Sequence, residues 1–431
     1  TENVAVGVAA AVANTTGNYN TAFGSNALAT NTTAVSNTAI GRYALNKNTD
    51  GTQNTAVGYN NMIANTTGSY NTAIGGLTLD ANTTGGSNTA LGYSALGANI
   101  SAGALTAVGA NALDANTTGG NNTAVGYDAL TSNTTSGENT AVGRSALSAN
   151  LTAAYNTAVG ANAGLSVTTG AVNVFVGSNC GDANTTGAAN TAVGQEALGA
   201  NTTASYNTTV GYQSLDANTT GASNTAVGHA ALSTNTTAAN NTAVGAASLN
   251  ANTTGTELVA VGTRALVTNT TGSSSVAVGI YSLDANTTGA NNSALGTHSL
   301  GANTTGANNT AVGYGAGDNI TDGGHNICMG YLADPSASGG DFQIVIGTAI
   351  AGSEDYQFTF GTTNSVVQNE FDTDAAWTRT SDRRKKRNIQ EDNLGLDFIN
   401  DLKTVTYQWR PANEYPKEWN EYSEDSNINT D

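Results

Sequence analysis

Ser381 and Lys386 lie five residues apart in the run Thr380-Ser381-Asp382-Arg383-Arg384-Lys385-Lys386-Arg387-Asn388-Ile389. A serine hydroxyl is a weak nucleophile at neutral pH and needs a base beside it. A lysine can be that base when burial or neighbouring cations lower its pKa. Lys386 has Arg384, Lys385 and Arg387 around it. Read on charge alone, the same run is a solvated face or a nucleic-acid patch. The net charge of −18 argues against nucleic acid, since that partner needs a basic footprint.

Other chemistry-bearing residues are sparse. Asp80, Asp114, Asp216 and Asp284 recur at one turn position. That pattern reads as solvated decoration, not the carboxylate pair of a polysaccharide-cleaving groove. Cys180 and Cys328 each stand where the pattern usually has Ala, so they read as small buried residues. At about 4.8 Å per coil they are too far apart to form a disulfide within one chain. No cofactor or metal is expected.

The element that must position all of this is a repeat. Asn-Thr-Ala-Val-Gly, complete at Asn54–Gly58, returns with its glycine every 17 residues from Gly7 to Gly347, 21 times without insertion or deletion. A fixed period is the mark of a solenoid or array. Composition agrees: 52 glycines and 6% aromatics leave little bulk for large globular cores. Charged residues are 10%, against about 25% in ordinary soluble domains. No apolar run reaches the roughly 18 residues of a membrane-spanning helix, so no membrane insertion is expected, and no signal peptide is visible.

With each unit numbered from its Asn, position 4 is apolar throughout (Val6, Phe23, Ile40, Val57, Ile74, Leu91). Position 3 is nearly always Ala, position 9 is usually Leu, and positions 12–14 are usually Asn-Thr-Thr. Seventeen residues are too few for a helical hairpin and suit one coil of a parallel β-solenoid. Because strand side chains alternate between faces, the expectation is that Val at 4 and Leu at 9 fill the coil. Ala and Gly at 3 and 5 then form a bare outer stripe for a neighbouring chain. The competing reading is that Gly at 5 only supplies a corner with positive φ. Asn-Thr-Thr-Gly reads as an exposed turn, in which stacked Asn could form an amide ladder. The turn requirement also accounts for the many matches to the N-glycosylation pattern.

Asn-Thr-Ala-Val-Gly-Tyr-x-Ala-Leu resembles the head repeats of trimeric autotransporter adhesins and related repeats of phage tail fibres, over about residues 3–350. The resemblance implies a homotrimer of parallel β-rolls. After Ile350 the composition changes: nine of the thirteen basic residues and all three tryptophans follow it. Residues 351–380 read as a β-structured neck, with Tyr356–Phe360 and Ser365–Val367 as short strands and Trp377 as an anchor.

Residues 381–431 resemble the start of the C-terminal intramolecular chaperone of the endosialidase-type self-cleaving family. Ser381, Asp382, Arg384, Lys386, Asn388 and Ile389 match its first block, while Lys385 replaces the usual Leu. Gly395-Leu396-Asp397-Phe398-Ile399 and Val405-Thr406-Tyr407-Gln408-Trp409 match later ones. The resemblance implies Ser381 as nucleophile, Lys386 as its base, Asp382 as an assisting residue, and scission of Thr380–Ser381. The family's domain normally continues beyond the point where Asp431 falls.

The whole is then an all-β protein: a 17-residue-repeat β-solenoid of about 21 coils over 1–350, the neck over 351–380, and a small α/β module over 381–431. The expected function is a structural trimeric phage tail fibre shaft for host attachment, matured by a self-cleaving chaperone. Its partners would be two further copies, other virion tail proteins and a host-surface glycan or outer-membrane component, with the virion as its location. The alternatives are an adhesin at a bacterial cell surface and, third, an ice-binding solenoid presenting stacked Thr.

Overall fold

The chain divides into Thr1–Thr380 and Ser381–Asp431. The computed structural model describes residues 2–371 and 378–379. Among the described residues there is no helix. Twenty three-residue strands run from β1 (Val4–Val6) to β20 (Ile327–Met329), one per repeat. Each pairs in parallel with the equivalent residues of the next repeat, as in Thr55↔Thr72, Ala56↔Ala73 and Val57↔Ile74. The fold is a parallel β-solenoid with a 17-residue coil. Stacked at about 4.8 Å, 21 coils extend over roughly 100 Å.

The alternation is present, but its phase is opposite to that expected. Ala at position 3 is sealed inside (Ala22, Ala56, Ala124 and Ala243 are all 0% exposed), whereas Phe23 at position 4 is 55% exposed. Leu at position 9 is buried as expected (Leu28, Leu45, Leu96). The reason is space. The interior also holds Ala27 at position 8 and an Asn at each of positions 1 and 12, such as Asn37 and Asn48. Beside Leu, only a small side chain fits on the strand's inner face, Ala in nearly every coil and Thr209 in one. A one-residue change of phase exchanges the two faces of a strand, so the apolar row faces out.

Gly at position 5 supplies the corner. Gly58 has φ +143°, and a Cβ on it would meet the Gly75 carbonyl oxygen at 2.1 Å. The backbone approach that demands glycine is therefore between successive coils of one chain. The proposed bare contact stripe does not exist.

Leu at position 9 is itself in the left-handed region, as at Leu28 (φ 54°). That conformation costs roughly 1–2 kcal/mol. Full burial of a Leu side chain contributes about 1.5–3 kcal/mol, enough to hold it there.

The asparagines are structural. Nδ2 of Asn65 donates to Oδ1 of Asn48 (2.8 Å) and to the Gly68 carbonyl (3.0 Å), and Nδ2 of Asn82 donates to Oδ1 of Asn65 (2.8 Å). A second row at position 1 runs beside it: the Asn54 backbone N–H donates to Oδ1 of Asn37 (3.0 Å), and Nδ2 of Asn54 donates to the same Gly68 carbonyl (2.8 Å). The amide ladder is present. The Asn of the Asn-Thr-Thr turn is thus buried, not exposed as expected. Where the next coil has Val167 or Ile320 in place of Asn, the row breaks, and Oδ1 of Asn150 and of Asn303 lack a partner.

Toward the C-terminal end the coil changes. β21 (Ala333–Asp334) pairs in parallel with β23 (Ile350–Ala351), and Ala333, Val345 and Ile350 form a small separate core against Val366. β22 (Ile344–Thr348) is followed in the main sheet by β24 (Gln357–Thr362), again parallel. β24 then folds back antiparallel on β25 (Ser365–Glu370). These are the two strands read from the alternation after Tyr356. β25 continues to β26 (Thr378–Arg379).

Candidate functional site

The outward strand face is the most continuous feature of the shaft. On it position-4 side chains alternate with position 2, usually Thr, coil after coil. Phe23, Ile40, Ile74, Leu91, Val210, Leu295 and Met329 are all exposed. A lone exposed apolar residue needs no explanation. A row of them in register from coil to coil makes a long apolar face, the kind of surface that proteins use for contacts.

Past the glycine corner lies a row of exposed aromatics at position 6, among them Tyr59, Tyr93, Tyr127, Tyr212, Tyr314 and Tyr331. Where ring-bearing residues occupy adjacent coils they stack on each other. Tyr314 and Tyr331 have centroids 5.5 Å apart at 15°, and Tyr212 lies 5.6 Å from His229. His325 and Phe342 at position 17 stack with Tyr356, fourteen residues after Phe342 in the shorter last coil, at 4.4 and 5.0 Å.

The acids do not gather into a catalytic arrangement. Asp80 and Asp114 lie two coils apart on either side of Gly97, as do Asp182 and Asp216 around Gly199. Burial raises the pKa of each of these four carboxyls above 3.8, and the neighbouring acids add to the shift. Among the described residues no group of three or more His, Cys, Asp or Glu is placed to hold a metal ion. No helix there is long and apolar enough to cross a membrane.

Cys180 and Cys328 are buried and free, as their place in the repeat predicts. Burial pushes both thiols up to about 12, and the Cys180 thiol donates to the Ala192 carbonyl (3.1 Å). Neither is a nucleophile at neutral pH.

Ser381, Asp382 and Lys386, the residues expected to perform self-cleavage, lie outside the described residues, as do Trp377 and the α/β module. What sequence reasoning missed is the outward apolar row. Its trace in the sequence is the Asn at positions 1 and 12, but that these compete with Val for interior space shows only once their amides are seen to be buried.

Residues 381–424 match the family described as the chaperone of endosialidase. The match begins at Ser381. No curated protein matches the chain.

Proposed function

We propose that the protein is the shaft of a homotrimeric phage tail fibre serving host attachment. Three solenoids pack along their outward strand faces, and the C-terminal segment acts as an intramolecular chaperone that sets their register. The observation that carries this reading is a continuous outward apolar row on a chain whose end matches the chaperone family. The two belong together physically. Near-identical coils can pair one coil out of step at little cost, because register is weakly specified in repetitive strands. A nucleus of different sequence at one end removes that choice.

In this reading Ser381 attacks the carbonyl carbon of Thr380, Lys386 takes its proton, and Asp382 assists. Lys386 returns the proton to the Ser381 nitrogen as the peptide bond opens, leaving an ester between the Thr380 acyl group and the serine oxygen; water then hydrolyses the ester, freeing a shaft that ends in the Thr380 carboxylate and restoring the Ser381 hydroxyl. The partners are other virion tail proteins and a surface glycan or outer-membrane component of the host.

Two measurements test it. A chain shortened to residues 1–350 should misassemble; well-formed trimers from it in light scattering would remove the need for a chaperone. In a chain carrying the complete chaperone domain, intact mass should show a fragment ending at Thr380, abolished by Ser381→Ala. An uncut wild-type chain would sink the cleavage step.

A further inference from the structure

Along position 6, coils three to nine read Arg42, Tyr59, Gly76, Tyr93, Ala110, Tyr127, Arg144. The three tyrosines are 52%, 59% and 55% exposed. They stand two coils apart, about 9.6 Å from one to the next, beyond the roughly 7 Å at which rings pair. This separates them from Tyr314 and Tyr331, which spend their faces on each other. The coils between carry the two smallest side chains, and a Cβ on Gly76 would touch the Tyr93 ring at 3.8 Å. The Tyr93 ring therefore lies over cleared ground, and no ring of the three is close enough to pair with the next.

We propose that Tyr59, Tyr93 and Tyr127 form a binding strip for a linear, neutral, β-1,4-linked polysaccharide. An extended chain of this linkage repeats every second sugar, and that repeat matches the two-coil spacing. Each ring would take the apolar C–H face of a pyranose in register with the next. Hydroxyls would meet the polar residues of position 7, where Asn60, Ser94, Asn111 and Asp128 follow Tyr59, Tyr93, Ala110 and Tyr127, with Leu77 the one apolar residue among them. Asn111 Nδ2 already donates to Asp128 Oδ1 (2.9 Å). Arg42 and Arg144 bound the strip and add donors at its ends. The charge pattern selects a neutral chain: Asp128, Asp114 and Asp80 belong to the middle coils, so an anionic polymer would be repelled where the rings are.

The proposal adds a ligand to the attachment reading above. It is tested on the full chain with β-1,4-linked gluco- and xylo-oligosaccharides of two to six sugars, by calorimetry and by ultraviolet difference spectra of tyrosine. Affinity should rise with length up to the pentasaccharide, the shortest chain that reaches all three rings, and change little at the hexasaccharide. Tyr93→Ala should weaken hexasaccharide binding by about tenfold. The triple variant Tyr59→Ala, Tyr93→Ala, Tyr127→Ala should lose it while its mass by light scattering matches that of the wild type. Absence of hexasaccharide binding at millimolar concentration, affinity independent of length, or wild-type binding by the triple variant would overturn the strip and leave the fibre reading standing. A triple variant that changed oligomeric state would instead assign these rings to the contact between copies, and would equally overturn it. A wild-type chain that stayed monomeric yet bound hexasaccharide through these tyrosines would sink the fibre reading alone.

Discussion

The ring of Phe175 occupies the space that a side chain on Gly181 would need: a Cβ there would lie 2.4 Å from the ring. Phe175 replaces the Ala of position 3, and Gly181 replaces the Leu of position 9 in the same coil. Gly164, at position 9 of the coil before, makes way for the same ring, with a Cβ 2.9 Å from it. The interior conserves its volume by moving it from one wall of the coil to the other. Phe175→Ala leaves two coils without their Leu or its substitute and should cost about 3–5 kcal/mol, with the shaft unfolding at lower denaturant. Gly181→Leu in the native background should also destabilise, through overpacking. Restoring Leu at both glycines together with Phe175→Ala should recover most of the loss.

The asparagine rows give a second expectation. Asn65→Ala removes two donated bonds and one accepted bond from a buried row. Each polar group left without a partner there costs about 1–3 kcal/mol, so a clear fall in thermal midpoint is expected. Thr67→Ala, two residues on and outside the row, should move stability by no more than about 0.5 kcal/mol. Equal effects in calorimetry would contradict a structural role for the row.

The acids set a pH dependence. Desolvation raises Asp80, Asp114, Asp182, Asp216 and Asp284 above 3.8 in the folded chain. Ionisation is then harder in the folded than in the unfolded chain. The resulting penalty is complete above the folded pKa and is relieved as pH falls through it toward 3.8. These groups therefore contribute a stability that rises on mild acidification. Because they are largely solvated the effect is small: Asp114→Asn with Asp216→Asn should raise the melting temperature at pH 7 by roughly 1 °C per site. The gap between variant and wild type should close near pH 4. A gap that widened on acidification would have the sign wrong.

The period, the strand in each coil and the buried Leu were legible in the residues, because each follows from local geometry; the corner glycine stood only as the competing reading, behind a contact stripe. The phase of the strand was not. Hydrophobicity alone ranks Val57 above Ala56 as a core residue, and the ranking fails because interior room is already committed to Leu and two Asn per coil. That commitment is visible only when the amide of Asn65 is seen to bond inside the stack. Ser381, Asp382 and Lys386 were legible as a motif, and residues 381–424 carry the matching family. Their arrangement in space depends on a part of the chain outside the described residues.

The corrected phase moves the expected contact between chains from Ala to Val. Ile40→Lys with Ile74→Lys changes two outward, exposed side chains and should leave the coil's circular dichroism as it is, each site shifting stability by about 0.5 kcal/mol or less. It should break association, since charges would be buried against an apolar row. Unchanged association in sedimentation would place the contact on another face.

The central claim is that three solenoids form one rod, and the mass of the native assembly tests it most directly. Native mass spectrometry or light scattering should give three copies, with no dissociation on modest dilution: three times the 43.0 kDa of a single copy while residues 381–431 are attached, or three times the mass of residues 1–380 once Thr380–Ser381 is cut. A mass of one copy, stable across concentration, would contradict it.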